Sequence, residues 1–198
     1  TSSPAYTTSP NLLPILIFKQ VSITAKQGIT NSSAFAYVSL ALIYCGVLND
    51  INNGYEFGKL GLLLLDKTSA KEFEPKTILV FNAFVRFWKE HLRNTLSPLL
   101  EAYKVGLEVG DLEFAGISCY TYTLQSFHCG KEISNLLREM ETYDKVLDSL
   151  NQSERLPYHR IFYQLVENFS GKQENPSTLK GEIYDPEISI PLHLKRKD

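Results

Sequence analysis

Residues 35–66 read FAYVSLALIYCGVLNDINNGYEFGKLGLLLLD. The first half belongs to an apolar run of helical length, Ala34 to Val47, with TNSS before it and Gly46 near its end. Ser and Thr ahead of such a run can satisfy the first free N–H groups of a helix, and Gly commonly closes one. LNDINNG then makes a turn, and apolar residues return at three- and four-residue spacing from about Asn53 to Lys67. The stretch predicts helix, turn, helix. Gly54, Gly58 and Gly61 fall on one face of the second helix. Each costs about 1 kcal/mol of helix propensity, so a closely approaching partner helix has to compensate. A phosphate loop is the competing reading of GYEFGKLG, but no strand precedes it and no Lys-Ser/Thr follows in frame.

The same unit recurs along the chain. TILVFNAFVRFWKEHLRNTLSPLLEAYKVGLEVGD (77–111) and FAGISCYTYTLQSFHCGKEISNLLREMETYDKVLD (114–148) also read helix, turn, helix. The starts Phe35, Thr77 and Phe114 lie 42 and 37 residues apart. Helices are predicted from Asn11 to Gly28, Pro75 to Leu92, Ser97 to Val109, Leu112 to His128, Glu132 to Leu150 and Pro157 to Asn168, besides the first two. Strand signals are nearly absent. About eight helices joined by short turns predict an all-α fold, and paired helices at this spacing point to an antiparallel, tetratricopeptide-like α-solenoid. Residues 1–10, TSSPAYTTSP, read as a flexible leader, 11–170 as the helical repeat domain, and 171–198 as a polar connection with the truncated start of a further element.

Composition narrows the function classes. With 198 residues, 43% of them apolar, a sizeable core is available. A net charge of −2 gives no broad basic surface for nucleic acid; the basic run Lys195-Arg196-Lys197 reads as a solvated tail. LLPILIF and LGLLLL are too short to span a bilayer, so no membrane insertion is expected. Three cysteines, an odd number, suit a reducing compartment. Opening at Thr1 without an initiator Met or signal-peptide pattern, the chain reads as an excised, cytoplasmic region.

SCYTYTLQSFHCG (118–130) holds Cys119, His128 and Cys129. On a helix Cys119 and His128 point about 180° apart and lie roughly 13 Å apart along the axis. They suit neither one metal nor a thiol–imidazole pair, so core packing is expected. TILVFNAFVRFWKEHLRN carries an apolar stripe of Ile78, Phe81, Val85, Trp88 and Leu92, widened by Val80, Phe84 and Phe87. Opposite it, Asn82, Arg86, Lys89 and Arg93 fall at i, i+4, i+7 and i+11 as one polar ridge, with Glu90 and His91 beside it. A solvated face partly neutralised by Glu90 and Glu101 is one reading. The other is a ridge that grips an acidic peptide or another domain, with Trp88 beside it. His91, His159 and His193 form no triad pattern, and no nucleotide, metal or flavin motif is present, so no cofactor is expected.

LLPILIFKQVSI, the runs GYxFGxLxLxLL and FNxFxRxWKExL, and GEIYDPEISIPLH together resemble the long helical region of large multidomain signalling kinases common in cyanobacteria. Those proteins join a Ser/Thr-kinase-like domain and an AAA/STAND-type ATPase to this region, and GAF sensor and histidine-kinase modules follow in many. The resemblance implies a tetratricopeptide-like connector without catalysis of its own, since kinase and ATPase motifs are missing here. It also implies a partner-gated relay through protein contacts, for which Asn82, Arg86, Trp88, Lys89 and Arg93 are the candidate surface. A small-molecule sensor with a pocket lined by Tyr120, Tyr122, Phe127 and Trp88 is the alternative. The family continues past LHLKRKD, so self-association of this stretch is also expected.

Overall fold

The computed structural model describes residues 10–149, 156–171 and 175–196. Among the described residues there are nine α-helices and no strand. They are α1 (Leu13–Gln27), α2 (Ser33–Gly46), α3 (Ile51–Thr68), α4 (Glu74–Phe84), α5 (Leu96–Val109), α6 (Leu112–His128), α7 (Ile133–Ser149), α8 (Leu156–Asn168) and α9 (Pro186–Arg196). The chain divides into two compact units, Thr1–Ser118 and Cys119–Asp198, with the division inside α6. Of the expected leader only Pro10 is described, in a 3-10 turn Pro10–Leu12 that leads into α1. The polar connection ends in a formed helix, α9.

In the first unit α2 is the centre. Its sequence is apolar almost all round, and Ala34, Val38, Leu40, Ala41, Ile43 and Cys45 are buried. Three neighbours cover it: α1, α3 and α4. Ile17 of α1, with Leu13 and Val21 beside it, packs on Leu40 and Ile43. Val80, Phe81 and Val85 meet Val38, Ala41 and Cys45. The approach of α3 is set by the predicted glycine face. A Cβ on Gly61 would lie 2.6 Å from Val38 Cγ1, and one on Gly54 2.4 Å from Cys45 Sγ. On the same face, a Cβ on Gly58 would lie 2.6 Å from the ring of Phe81 in α4. The glycines thus lodge α3 against both α2 and α4. Asp50 caps α3 by accepting from Asn53 N–H at 3.1 Å. TNSS does not cap α2 as expected: its hydroxyls bond one another and Thr24, and Ser32 makes no side-chain cap.

The fourth helix departs from expectation. It ends at Phe84, not Leu92. Beyond it come a 3-10 turn Arg86–Trp88, an extended His91, and a second 3-10 turn Leu92–Thr95 leading into α5. The cause is local competition for carbonyls. The indole N–H of Trp88 donates to Phe84 O at 3.2 Å. The backbone N–H groups of Trp88 and Lys89 reach back only three residues, to Val85 and Arg86, which tightens the chain out of α geometry.

In the second unit Leu136 and Met140 of α7 pack on Phe162 and Val166 of α8, with Tyr120, Leu124 and Phe127 of α6 around them. Buried Gln164 accepts from the N–H groups of Ile183 and Tyr184, at 3.2 and 3.3 Å, and donates to Asn168 at 2.9 Å. Asn168 in turn donates to the carbonyls of Pro176 and Thr178. Two side-chain amides therefore fasten the connection ahead of α9 onto α8.

Candidate partner-binding surface

The break after Phe84 changes what the predicted ridge is. Asn82 sits inside α4 with only 1% exposure, its Nδ2 donating to Ile78 O at 2.8 Å. Its Oδ1 accepts from Arg86 Nη1 at 3.2 Å. Arg86 also donates through Nε to Glu90 Oε2 at 2.9 Å. Glu90 further accepts from the Tyr55 hydroxyl at 2.7 Å and from Asn94 Nδ2 at 3.0 Å. Asn82 and Arg86 are thus internal members of a hydrogen-bonded chain, and the single face joining residues 82, 86, 89 and 93 does not form. The Tyr55 hydroxyl, aided by Asn94 and Arg86, holds the Glu90 carboxyl below the usual carboxylate range against the effect of burial. The same bond raises the Tyr55 hydroxyl.

What this network supports is a set of aromatic rings turned outward. Trp88 is 49% exposed, Phe84 45% and Phe87 38%. Phe87 and Trp88 stack with centroids 5.3 Å apart and planes 31° apart. Periodicity places Phe84, Phe87 and Trp88 in the apolar stripe; Phe84 is instead exposed at the last residue of α4, and Phe87 and Trp88 in the 3-10 turn that follows. Lys89 reaches back to Asn52 Oδ1, so the start of α3 lies beside the turn. Val47 and Leu48, just ahead of α3, are exposed as well. Arg93 and His91 are exposed, with the Arg93 N–H on His91 Nδ1 at 3.1 Å. Across residues 86–93 three cations stand against one carboxylate, and that carboxylate already serves Arg86. The surface is apolar at its centre and positive at its edge.

The other candidate residues have structural surroundings. Cys119 is buried and its thiol is pushed up to about 12 by that burial, as befits a small core residue. His128 is exposed at the end of α6, and Cys129 is half-buried. Tyr120, Tyr122 and Phe127 belong to the second unit, Trp88 to the first. The Tyr122 hydroxyl donates to Glu139 at 3.1 Å and accepts from Lys131 at 2.8 Å. Phe127 meets Phe162 and Phe169 edge-on and tilted.

No helix among the described residues is long and apolar enough to cross a membrane. No protein-family model matches the chain, and no solved structure matches it. Over 163 residues it is 26% identical to hybrid signal transduction histidine kinase G of Dictyostelium discoideum, a stretch covering 81% of this chain and 4% of that kinase. The chain spans only a small fraction of that kinase's length.

Proposed function

We propose that the chain is a non-catalytic helical connector of a multidomain signalling kinase, docking a protein partner or a neighbouring module on Phe84, Phe87 and Trp88. The observation that carries this reading is the exposure of three clustered rings on a backbone held by the Asn82–Arg86–Glu90–Tyr55 network. Trp and Arg are among the side chains that most often dominate protein–protein contacts, with Phe enriched beside them, and a preset backbone lowers the ordering cost of binding. Lys89 and Arg93 supply the rim. The pairing of α2 with α3, of α4 with α5, and of α2 with α4 is the order a tetratricopeptide-like array would have, and supports the α-solenoid reading. Both the likeness to the Dictyostelium kinase and the runs around Trp88 and Gly58 favour a signalling, cytoplasmic setting and a partner-gated relay.

A photoreactive benzoylphenylalanine in place of Trp88, set against one in place of exposed Lys145, tests this. The expected result is cross-linking from position 88 alone to one mapped protein segment, lost on adding Phe87→Ser. Equal, diffuse cross-linking from both positions overturns the reading.

A further inference from the structure

The outer face of α1 has a pattern of its own. The inner face, Leu13, Ile17 and Val21, is used against α2. Turned away from it, Ile15 is 63% exposed, and Leu16, Ile23 and Leu12, in the turn that leads into the helix, are exposed too. At 100° per residue, Lys19 and Lys26 lie opposite Ile17. Leu12, Lys19 and Lys26 follow one another at seven-residue intervals, with Ile15 and Leu16, then Ser22 and Ile23, between them. That alternation of threes and fours is the seam through which two helices pair. Phe18, also exposed, widens one flank.

Charge selects the occupant. All Asp and Glu residues of the chain lie from Asp50 onward, so the first 49 residues carry only the positive charges of Lys19 and Lys26. A lipid surface fits poorly: the two ammonium groups occupy the outermost line, which would be driven deepest into the bilayer, whereas interfacial helices keep Lys on the polar face. A second copy fits poorly too. In parallel it would stack Lys19 on Lys19 and Lys26 on Lys26. In antiparallel it would bury four ammonium groups with no carboxylate in either segment to meet them. We propose that the outer face of α1 docks an amphipathic protein helix that carries carboxylates at heptad spacing opposite Lys19 and Lys26. This surface is separate from the one at Trp88.

The test uses the full chain and a synthetic three-heptad helix with Leu and Ile in its seam and Glu flanking it. A matched peptide with Lys for Glu and phosphatidylcholine–phosphatidylserine vesicles complete the set, with binding read by calorimetry. The acidic peptide binds and the basic one does not. Lys19→Glu with Lys26→Glu weakens the acidic peptide about tenfold or more and admits the basic one. Ile15→Gln with Leu16→Gln abolishes binding of the acidic peptide, at unchanged helix content by circular dichroism, and Trp88→Ser changes nothing. Four results overturn the proposal: no binding of the acidic peptide, binding indifferent to the charge reversal, preference for the vesicles, or a concentration-dependent dimer that the Ile15/Leu16 variant abolishes.

Discussion

Replacing Gly61 by Ala should destabilise the first unit, although it removes a glycine from the interior of a helix. On an isolated helix the change would contribute about 1 kcal/mol in favour of folding. Here the added methyl would stand 2.6 Å from Val38 Cγ1, 3.0 Å from Ala34 O and 3.1 Å from Val38 N. Two of these atoms are backbone, which no rotamer change can withdraw, so α2 and α3 have to separate. Overpacking of a filled core costs typically 1–3 kcal/mol, and the rigid neighbours place this site at about 3. The net loss is about 2 kcal/mol, which lowers the melting temperature by roughly 4–8 °C for a chain of this size. Gly46→Ala is the control, because its Cβ would meet nothing within 4 Å; it should be neutral or slightly stabilising. Paired urea and thermal melts followed by circular dichroism read the difference. A Gly61→Ala variant at least as stable as wild type would refute the close approach of α3 to α2.

Two other outcomes follow from the polar interior. His159 is fully buried, with Nε2 3.0 Å from Met140 O and Nδ1 without a partner. Burial lowers its pKa in the folded state, opposed by Met140 O and Asp144 and assisted by Arg160. Unfolded it titrates at about 6.5, so the unfolded chain binds the extra proton first. Stability of the second unit is therefore full above that pH and falls as acid is added, until the lowered folded value is passed. His159→Gln should flatten that slope in urea melts taken across this range; an unchanged slope would count against it. Glu90→Gln should cost about 1–2 kcal/mol by weakening the bonds from Tyr55, Arg86 and Asn94, and should raise the acrylamide quenching of Trp88 by loosening its turn.

The helical character of the chain was legible because apolar spacing, Gly28, Gly110 and Gly130 all agree with one another. The last three have positive φ, 105°, 76° and 75°, which glycine adopts without strain. The glycine face of α3 was legible for the same reason: spacing alone puts Gly54, Gly58 and Gly61 on one side. The end of α4 was not. FNAFVRFWKEHL keeps a three–four rhythm through Leu92, and what stops the helix is the Trp88 indole taking the Phe84 carbonyl. Of the candidate surface residues, Trp88, Lys89 and Arg93 lie exposed, although periodicity also counts Trp88 in the apolar stripe. Asn82 was misplaced because its amide bonds back to Ile78 O inside the helix. Phe87 and Trp88 were assigned inward because periodicity assumes the helix continues, and Phe84 because it keeps the same rhythm though it lies exposed at the end of α4. The division inside α6 leaves no mark, since its apolar pattern runs unbroken from Leu112 to His128.

Trp88 is the single tryptophan of the chain, so growth on 5-fluorotryptophan yields one fluorine resonance that reports the proposed docking surface whatever the partner contains. The measurement is that resonance with and without the unlabelled kinase portion of the proposed parent protein, in wild type and in Phe87→Ser. The account predicts a shifted or broadened line in wild type that saturates on titration, and no change in the variant. A Trp88 resonance that stays put while other probes show the two proteins bound would contradict it.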